Sequence, residues 1–452
     1  MGAIFDRSYC CNAICGPSRA NIVSGKHSSA NGFLKNCGKD FDFTQSTFVK
    51  SLKESGYQTA LIGKWHLGSH NLGKSPFDYL QVWHGGYYNP SFTAKDGTQK
   101  REIGYSTTLI GNKTIDWINK RDPSKPFMIM CTFNASHRTW APDLKYLNKY
   151  KGEIIPEPKT LFDHWDGRSP TLKGNHMSID KHFYYSYDLK VYEPVPWAST
   201  REKWLKDREI KHMTPEQRKV WLAAFEPENK KFIKDHPTGK DLIRWKYQRY
   251  IKNYIRCVCS IDDEVGKMLD YLKKNGLLDN TIIVYTSDQG FYLGEHGWYD
   301  KRWMFEESFR IPFIMYWKGV TKPGEHINQL VQNIDMAPTL IKAAGLEVPS
   351  DMQGLNLIPL IEGKKVAWRN ELYYHYFEAG GEHNVSAQEG VKTDRYKLIN
   401  FYQNDGFNLF DLKNDPDEMK NVANNPEYAA VLKTMKAKLK ELRKQYHEPP
   451  LK

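Results

Sequence analysis

The stretch YIRCVCSIDDEVGKMLDYLKKNGLLDNTIIVYTSD, residues 254–288, decides the fold. Tyr254, Val258, Ile261, Val265, Leu269 and Leu272 step by four, three, four, four and three, one apolar face of an α-helix, and Gly276 stops it. An apolar run of strand length follows at 280–288 and ends in polar residues. The same alternation occurs upstream. Phe48, Val49 and Leu52 share a helical face ahead of Gly56, "QTALIG" (58–63) reads as a strand, and "KPFMIMCTF" (125–133) reads as another. Short continuous apolar runs suit parallel strands covered on both faces. Helix–strand alternation of this kind predicts a doubly wound α/β sheet.

Two regions break the pattern. Residues 150–245 are rich in Trp, Tyr, Pro, Lys and His with little periodicity, and read as an elaborated insertion over the sheet edge. From about residue 366 short strands, "YKLINFY" and "FNLFDL", precede a helix with Tyr428, Leu432, Met435, Leu439, Leu442 and Tyr446 on one face. The expected layout is an α/β domain over 1–365 and a small antiparallel α+β unit over 366–452.

With 65 Lys+Arg against 53 Asp+Glu, the formal charge of +12 favours anionic partners. No run of five basic residues appears, which argues against nucleic acid. No apolar run reaches the ~18 residues of a membrane span. The seven cysteines (Cys10, Cys11, Cys15, Cys37, Cys131, Cys257, Cys259) lack the paired spacing of a zinc ribbon. "MGAIFDRSYCC" has neither the basic start nor the apolar core of a signal peptide.

Ligands in open α/β sheets bind beyond the carboxyl ends of strands. Three polar clusters fall there: Lys64 and His66 in "GKWHLG", His137 and Arg138 in "NASHRTWAP", and Asp288 and Gln289 in "SDQG", with His296, Lys301 and Arg302 downstream. Asp288 and Gln289 offer hard oxygen donors suited to Ca²⁺ or Mg²⁺. Lys64, Lys301, Arg19 and His137 form a cage suited to a tetrahedral oxyanion. On residue types alone Cys15 is open to reading as a disulfide partner, a metal ligand, a buried thiol or a modified residue. The Trp residues of 165–245 are open to reading as packing or as sugar platforms.

Cys15-Gly16-Pro17-Ser18-Arg19 followed by "ANIVSG" resembles the Cys-x-Pro-Ser-Arg signature of type I sulfatases, and "GKWHLG", the His after "FNAS", "SDQG", "YDKRW" and "LFDLKNDPDEMKN" follow in family order. The resemblance implies an alkaline-phosphatase-like fold and a sulfuric ester hydrolase in which a formylglycine-generating enzyme converts Cys15 to formylglycine. It implies that Arg19 orients the aldehyde hydrate, that Lys64 and Lys301 bind sulfate, that His66 deprotonates the hydrate and that His137 protonates the leaving oxygen. Asp288, Gln289 and residue 15 would hold Ca²⁺ (Mg²⁺ being the alternative), while Arg138, His296 and Arg302 are candidates for substrate contact. Family members supply further metal ligands from two adjacent aspartates on a strand that would precede Met1, so an incomplete metal set, an exposed sheet edge and little turnover are expected. A secreted, periplasmic or lysosomal location is implied. Resemblance of "GFYLGEHGWYDKRWMFEES" to bacterial enzymes of this type points to the 6-sulfate of N-acetylglucosamine. A 2-O-sulfated uronate, choline or aryl sulfates, a phosphodiesterase of the alkaline phosphatase superfamily and an inactive glycan binder are the alternatives.

Overall fold

A computed structural model describes residues 2–36, 39–68, 72–198, 210–403 and 406–451; Cys37 and Trp204 lie outside them. The strands expected at 58–63, 127–132 and 283–286 are present. They belong to two sheets. One has the order Gln99–Arg101, Ser91–Ala94, Tyr79–His84, Gln58–Gly63, Phe127–Thr132, with parallel pairing around Gln58–Gly63. The other has the order His326–Ile327, Ala3–Phe5, Phe313–Tyr316, Ile283–Thr286. Ile283–Thr286 pairs antiparallel with Phe313–Tyr316.

The two apolar runs were expected to be covered on both faces, and they are not. Every residue of Phe127–Thr132 is only partly buried, and Tyr285 in Ile283–Thr286 is 37% exposed. The reason is their position. Each pairs with a neighbour on one side only among the described residues, so each is a free sheet edge.

The helix read from Tyr254 starts earlier, at Gly239, and runs to Lys274. A second helix, Pro215–Asp235, was not expected; Thr214 and Gln217 form a capping box with Pro215 in the first turn. The stretch 150–245 carries its own aromatic core. Trp221, Phe225, Phe232, Tyr247 and Tyr250 are buried with Trp140 and Tyr299. Its described tryptophans pack on the protein: Trp221 is inaccessible, Trp165 stacks on Trp298, Trp245 on Phe232 and Trp197 on His236.

At the C-terminus four antiparallel strands follow the order Glu371–Tyr376, Gln388–Thr393, Tyr396–Phe401, Gly406–Asp411. Met435, Leu439 and Leu442 of the helix Ala429–Gln445 bury against Tyr373, Val391, Leu398 and Leu409. No helix among the described residues is long and apolar enough to cross a membrane.

Candidate active site

Cys15 begins the helix Cys15–Ser24 and is 1% exposed. The preceding Ile14 is extended and has no side chain able to cap the helix, so the first-turn amides need partners from elsewhere.

The parallel strands Gln58–Gly63 and Phe127–Thr132 end on the same side and deliver the next groups. Their ends touch closely. A Cβ on Gly63 would sit 1.9 Å from the Thr132 carbonyl oxygen, and its φ of 116° is one that side chains rarely adopt. Immediately beyond, the Lys64 amide donates to the Thr132 carbonyl at 2.8 Å and Lys64 Nζ lies 3.6 Å from Cys15 Sγ. His66 and His137 both face the Cys15 thiol. His137 Nδ1 lies 2.8 Å from the Arg138 carbonyl, which places the proton on Nδ1 and leaves Nε2 facing Lys301 Nζ at 3.4 Å.

From the third strand end, Asp288 reaches the same place, and Gln289 is the next residue. Arg19 Nε donates to Asp288 Oδ2 at 2.9 Å and its Nη1 donates to the Lys64 carbonyl at 2.7 Å. Arg19 therefore ties two strand ends to the Cys15 helix. Ser18 Oγ donates to the Asp288 carbonyl and accepts from Asn333 Nδ2 at 2.9 Å. Gln289 Oε1 is buried with no hydrogen-bond partner, as an oxygen awaiting a cation would be.

The electrostatics follow from these neighbours. Burial opposes ionisation of the Cys15 thiol, but Lys301, Lys64 and the two imidazoles outweigh it and hold the thiol well below its ordinary value. The two lysines diverge. Burial lowers Lys64, which Cys15 and Asp288 only partly offset. Burial also acts against Lys301, but Asp300 Oδ1 at 2.7 Å outweighs it and raises the ammonium. His137 is lowered by burial and by Lys301 and Lys64.

Of the expected residues, Cys15, Arg19, Lys64, His66, His137, Asp288 and Lys301 come together, with Gln289 buried next to Asp288 in the chain. Arg302 stands beside them with Nη1 on Asp300 Oδ2 at 2.8 Å. Arg138 turns its side chain away, into a two-pronged bond with Asp188 at 2.7 Å for both contacts, with Glu382 3.6 Å from its remaining nitrogen. His296 is elsewhere. It is inaccessible, its Nδ1 is 3.0 Å from Asp163, and it packs on Trp298 and Phe305. Asp300 and His383, by contrast, were not anticipated. Asp300 is a buried hub between Lys301, Arg302 and His383, whose Nε2 is 2.5 Å away. Its position before two cations in "YDKRW" was the available signal; nothing in "GGEH" marks His383.

Comparison with known proteins agrees with this geometry. A family model described as sulfatase matches residues 1–346, and one described as the C-terminal part of N-sulphoglucosamine sulphohydrolase matches 294–445. An N-acetylglucosamine-6-O-sulfatase of Bacteroides thetaiotaomicron is 43% identical over 459 residues, which span 99% of this chain and 81% of that protein. Human N-acetylglucosamine-6-sulfatase is 25% identical over 401 residues, spanning 83% of this chain and 62% of that one. A protein solved in complex with its substrate D-glucosamine-2-N,6-O-disulfate superposes with a TM-score of 0.93 at 41% identity, covering 99% of this chain and 91% of its own. A phosphonate monoester hydrolase from Silicibacter pomeroyi shares the fold at a TM-score of 0.74 and 18% identity, over 98% of this chain and 88% of its own. The fold is the α/β, alkaline-phosphatase-like one, and the chain belongs to the sulfatase family.

Proposed function

We propose that this chain removes the 6-O-sulfate from a terminal N-acetylglucosamine or glucosamine residue of a sulfated glycan, through a nucleophile made from Cys15. The observation that carries the reading is the convergence of Lys64, Lys301, His66 and His137 on Cys15 at a helix start. The 6-O specificity rests on the relatives named above, and the net positive charge suits a polyanionic glycan.

In this reading the Cys15 sulfur stands where the oxygens of a formylglycine hydrate would be. The hydrate would supply an oxygen nucleophile that releases sulfate by re-forming its carbonyl, and a divalent cation would favour its ionisation. Asp288 and Gln289 fit one side of such a cation, since the orphaned Gln289 oxygen lies next to a carboxylate in sequence. Ca²⁺ is the ion these hard donors suit, with Mg²⁺ second. Lys64 and Lys301 hold the sulfate oxygens as charge spreads over them. Lys301 stays cationic at neutral pH because Asp300 is beside it. His137 keeps Nδ1–H on the Arg138 carbonyl and presents Nε2 to the substrate. Protonated there, it gives its proton to the departing sugar oxygen, and its lowered pKa makes that transfer easier. His66 takes the proton from the second hydroxyl. Arg302, anchored on Asp300, faces the sugar. An extracytoplasmic location, secreted, periplasmic or lysosomal, goes with this substrate class.

The test is co-expression with a formylglycine-generating enzyme, mass spectrometry of the tryptic peptide Ser8–Arg19, and kcat/KM on defined sulfated sugars. Aldehyde at residue 15 and preference for a 6-sulfated glucosamine are expected. Intact, alkylatable Cys15 in active protein overturns the nucleophile. A marked preference for a 2-O-sulfated uronate or choline sulfate overturns the substrate.

A further inference from the structure

The helix that presents Cys15 is held at its start by a residue outside all the motifs above. Ile14 provides no side-chain cap. Instead Asn36 Oδ1 accepts from the Gly16 amide at 2.9 Å, satisfying one of the first-turn donors from a loop 20 residues away. The contact is tight. A Cβ at Gly16 would lie 2.7 Å from Phe33, 2.8 Å from Asn36 Oδ1 and 2.9 Å from the His66 carbonyl oxygen. With glycine at residue 16, Asn36 and the His66 backbone close on the helix start from two sides.

Asn36 is itself held. Its backbone N–H donates to Glu378 Oε2 at 3.2 Å. Glu378 follows the strand Glu371–Tyr376 of the C-terminal sheet, in the same loop as His383. His383 grips Asp300, and Asp300 grips Lys301. One loop of the C-terminal sheet thus reaches the Cys15 helix through Asn36 and the sulfate-facing Lys301 through Asp300.

We infer that Asn36, backed by Glu378, is a positioning residue that fixes Cys15 against Lys64 and Lys301 without touching substrate. The inference rests on the proposed function only for its kinetic consequence; the hydrogen-bond relay stands without it. A displacement near 1 Å at a reacting group costs on the order of 100-fold in rate. The relay therefore governs kcat more than KM.

The experiment compares Asn36→Ala, Asn36→Asp, Glu378→Ala and Glu378→Gln in the full chain. It measures aldehyde content at residue 15, kcat and KM on glucosamine 6-sulfate, melting temperature, and hydrogen exchange of the segment containing Gly16. Asn36→Ala is expected to lower kcat by about 10- to 100-fold with KM within about threefold, at equal aldehyde content, and to speed exchange at Gly16. Asn36→Asp restores the acceptor, so kcat recovers at least about tenfold over Asn36→Ala, while its negative charge raises KM for an anionic substrate. Glu378→Gln keeps the acceptor and retains more activity than Glu378→Ala. A kcat for Asn36→Ala within about twofold of the parent, or a loss confined to KM or to melting temperature, overturns the inference. If the parent turns over no sulfate ester, hydrogen exchange alone decides the relay, and unchanged exchange at Gly16 in Asn36→Ala overturns it.

Discussion

Replacing Asp300 with Asn keeps the shape of a buried side chain and deletes one charge that three groups share. Lys301 at 2.7 Å, Arg302 at 2.8 Å and His383 at 2.5 Å all face that carboxylate, and it is 2% exposed. Burial opposes its charge, but Lys301, Arg302 and His383 hold it well below the ordinary carboxylate range. Removing one member of a buried ion pair costs about 3–5 kcal/mol, because the partner charges remain in the interior. Unfolding entropy of about 2.1 cal/mol/K per residue over 452 residues comes to about 1 kcal/mol/K. The melting temperature should therefore fall by about 3–5 °C at pH 7. The loss is pH-dependent with a definite sign. A carboxylate with a depressed folded pKa stabilises above its unfolded pKa and loses that contribution as pH falls through the folded value. The gap between parent and variant should be full above about pH 5 and shrink only in strong acid. Function falls with it, since Lys301 loses the anion that offsets its burial and the sulfate clamp weakens. Because Lys301 itself remains, kcat should fall on the order of tenfold, less than the roughly 10²–10³ that removing a direct oxyanion contact costs. Scanning fluorimetry from pH 7 to pH 3 and steady-state kinetics on glucosamine 6-sulfate read both effects. A melting shift below about 1 °C together with kcat/KM within about threefold of the parent would refute the hub.

His137→Gln should slow hydrolysis of a sugar 6-sulfate by about 10²–10⁴, and that of an aryl sulfate with a good leaving group far less, because only the poor leaving group needs the proton. Equal losses on both substrates would assign His137 to binding. Because the acid form of His137 is the active one and its pKa in the free protein is lowered, kcat/KM on the sugar sulfate should decline with rising pH around a midpoint below about 6.5, and the aryl sulfate should show a weaker decline. A midpoint above that value contradicts the proton assignment. Asp288 and Gln289 supply two protein oxygens where Ca²⁺ takes about six to eight, so calorimetry on residues 1–452 should find Ca²⁺ affinity no tighter than about 1 mM, abolished by Asp288→Asn. Micromolar binding would show that oxygens outside this pair complete the site.

The fold was legible where burial is apolar and local, and illegible where the interior is polar. Phe48–Glu54, Gln58–Gly63 and Ala429–Gln445 follow their hydrophobic spacing. The long helix was cut short at Tyr254 because Lys246, Arg249 and Asn253 are buried upstream, and charged residues in a core erase the pattern a helix is read by. Arg249 is tolerated there because Asn229 Oδ1 accepts from it at 3.0 Å and Glu228 lies 3.3 Å away, both on the helix Pro215–Asp235. That helix announced itself only through its capping box at Thr214.

The same distinction separates the site residues that converge from those that do not. Strand ends place side chains by a rule that a sequence carries, and Lys64, His137 and Asp288 obey it. Whether a polar side chain then faces substrate or the interior depends on its partner, and partners are set by topology. Lys301 has its carboxylate one residue away, so its charge is balanced locally and its ammonium stays beside Cys15 and His137. Arg138 meets Asp188 from 50 residues away, and His296 meets Asp163 from 133 residues away. Both stand next to convincing motifs, yet Arg138 is paired with Asp188 and His296 holds Asp163 through Nδ1 inside the protein. A histidine near a metal-type sequence is thus weak support for a ligand until its hydrogen bonds are known. By the same logic Asn36, which no motif marks, gains its role from the single amide it caps.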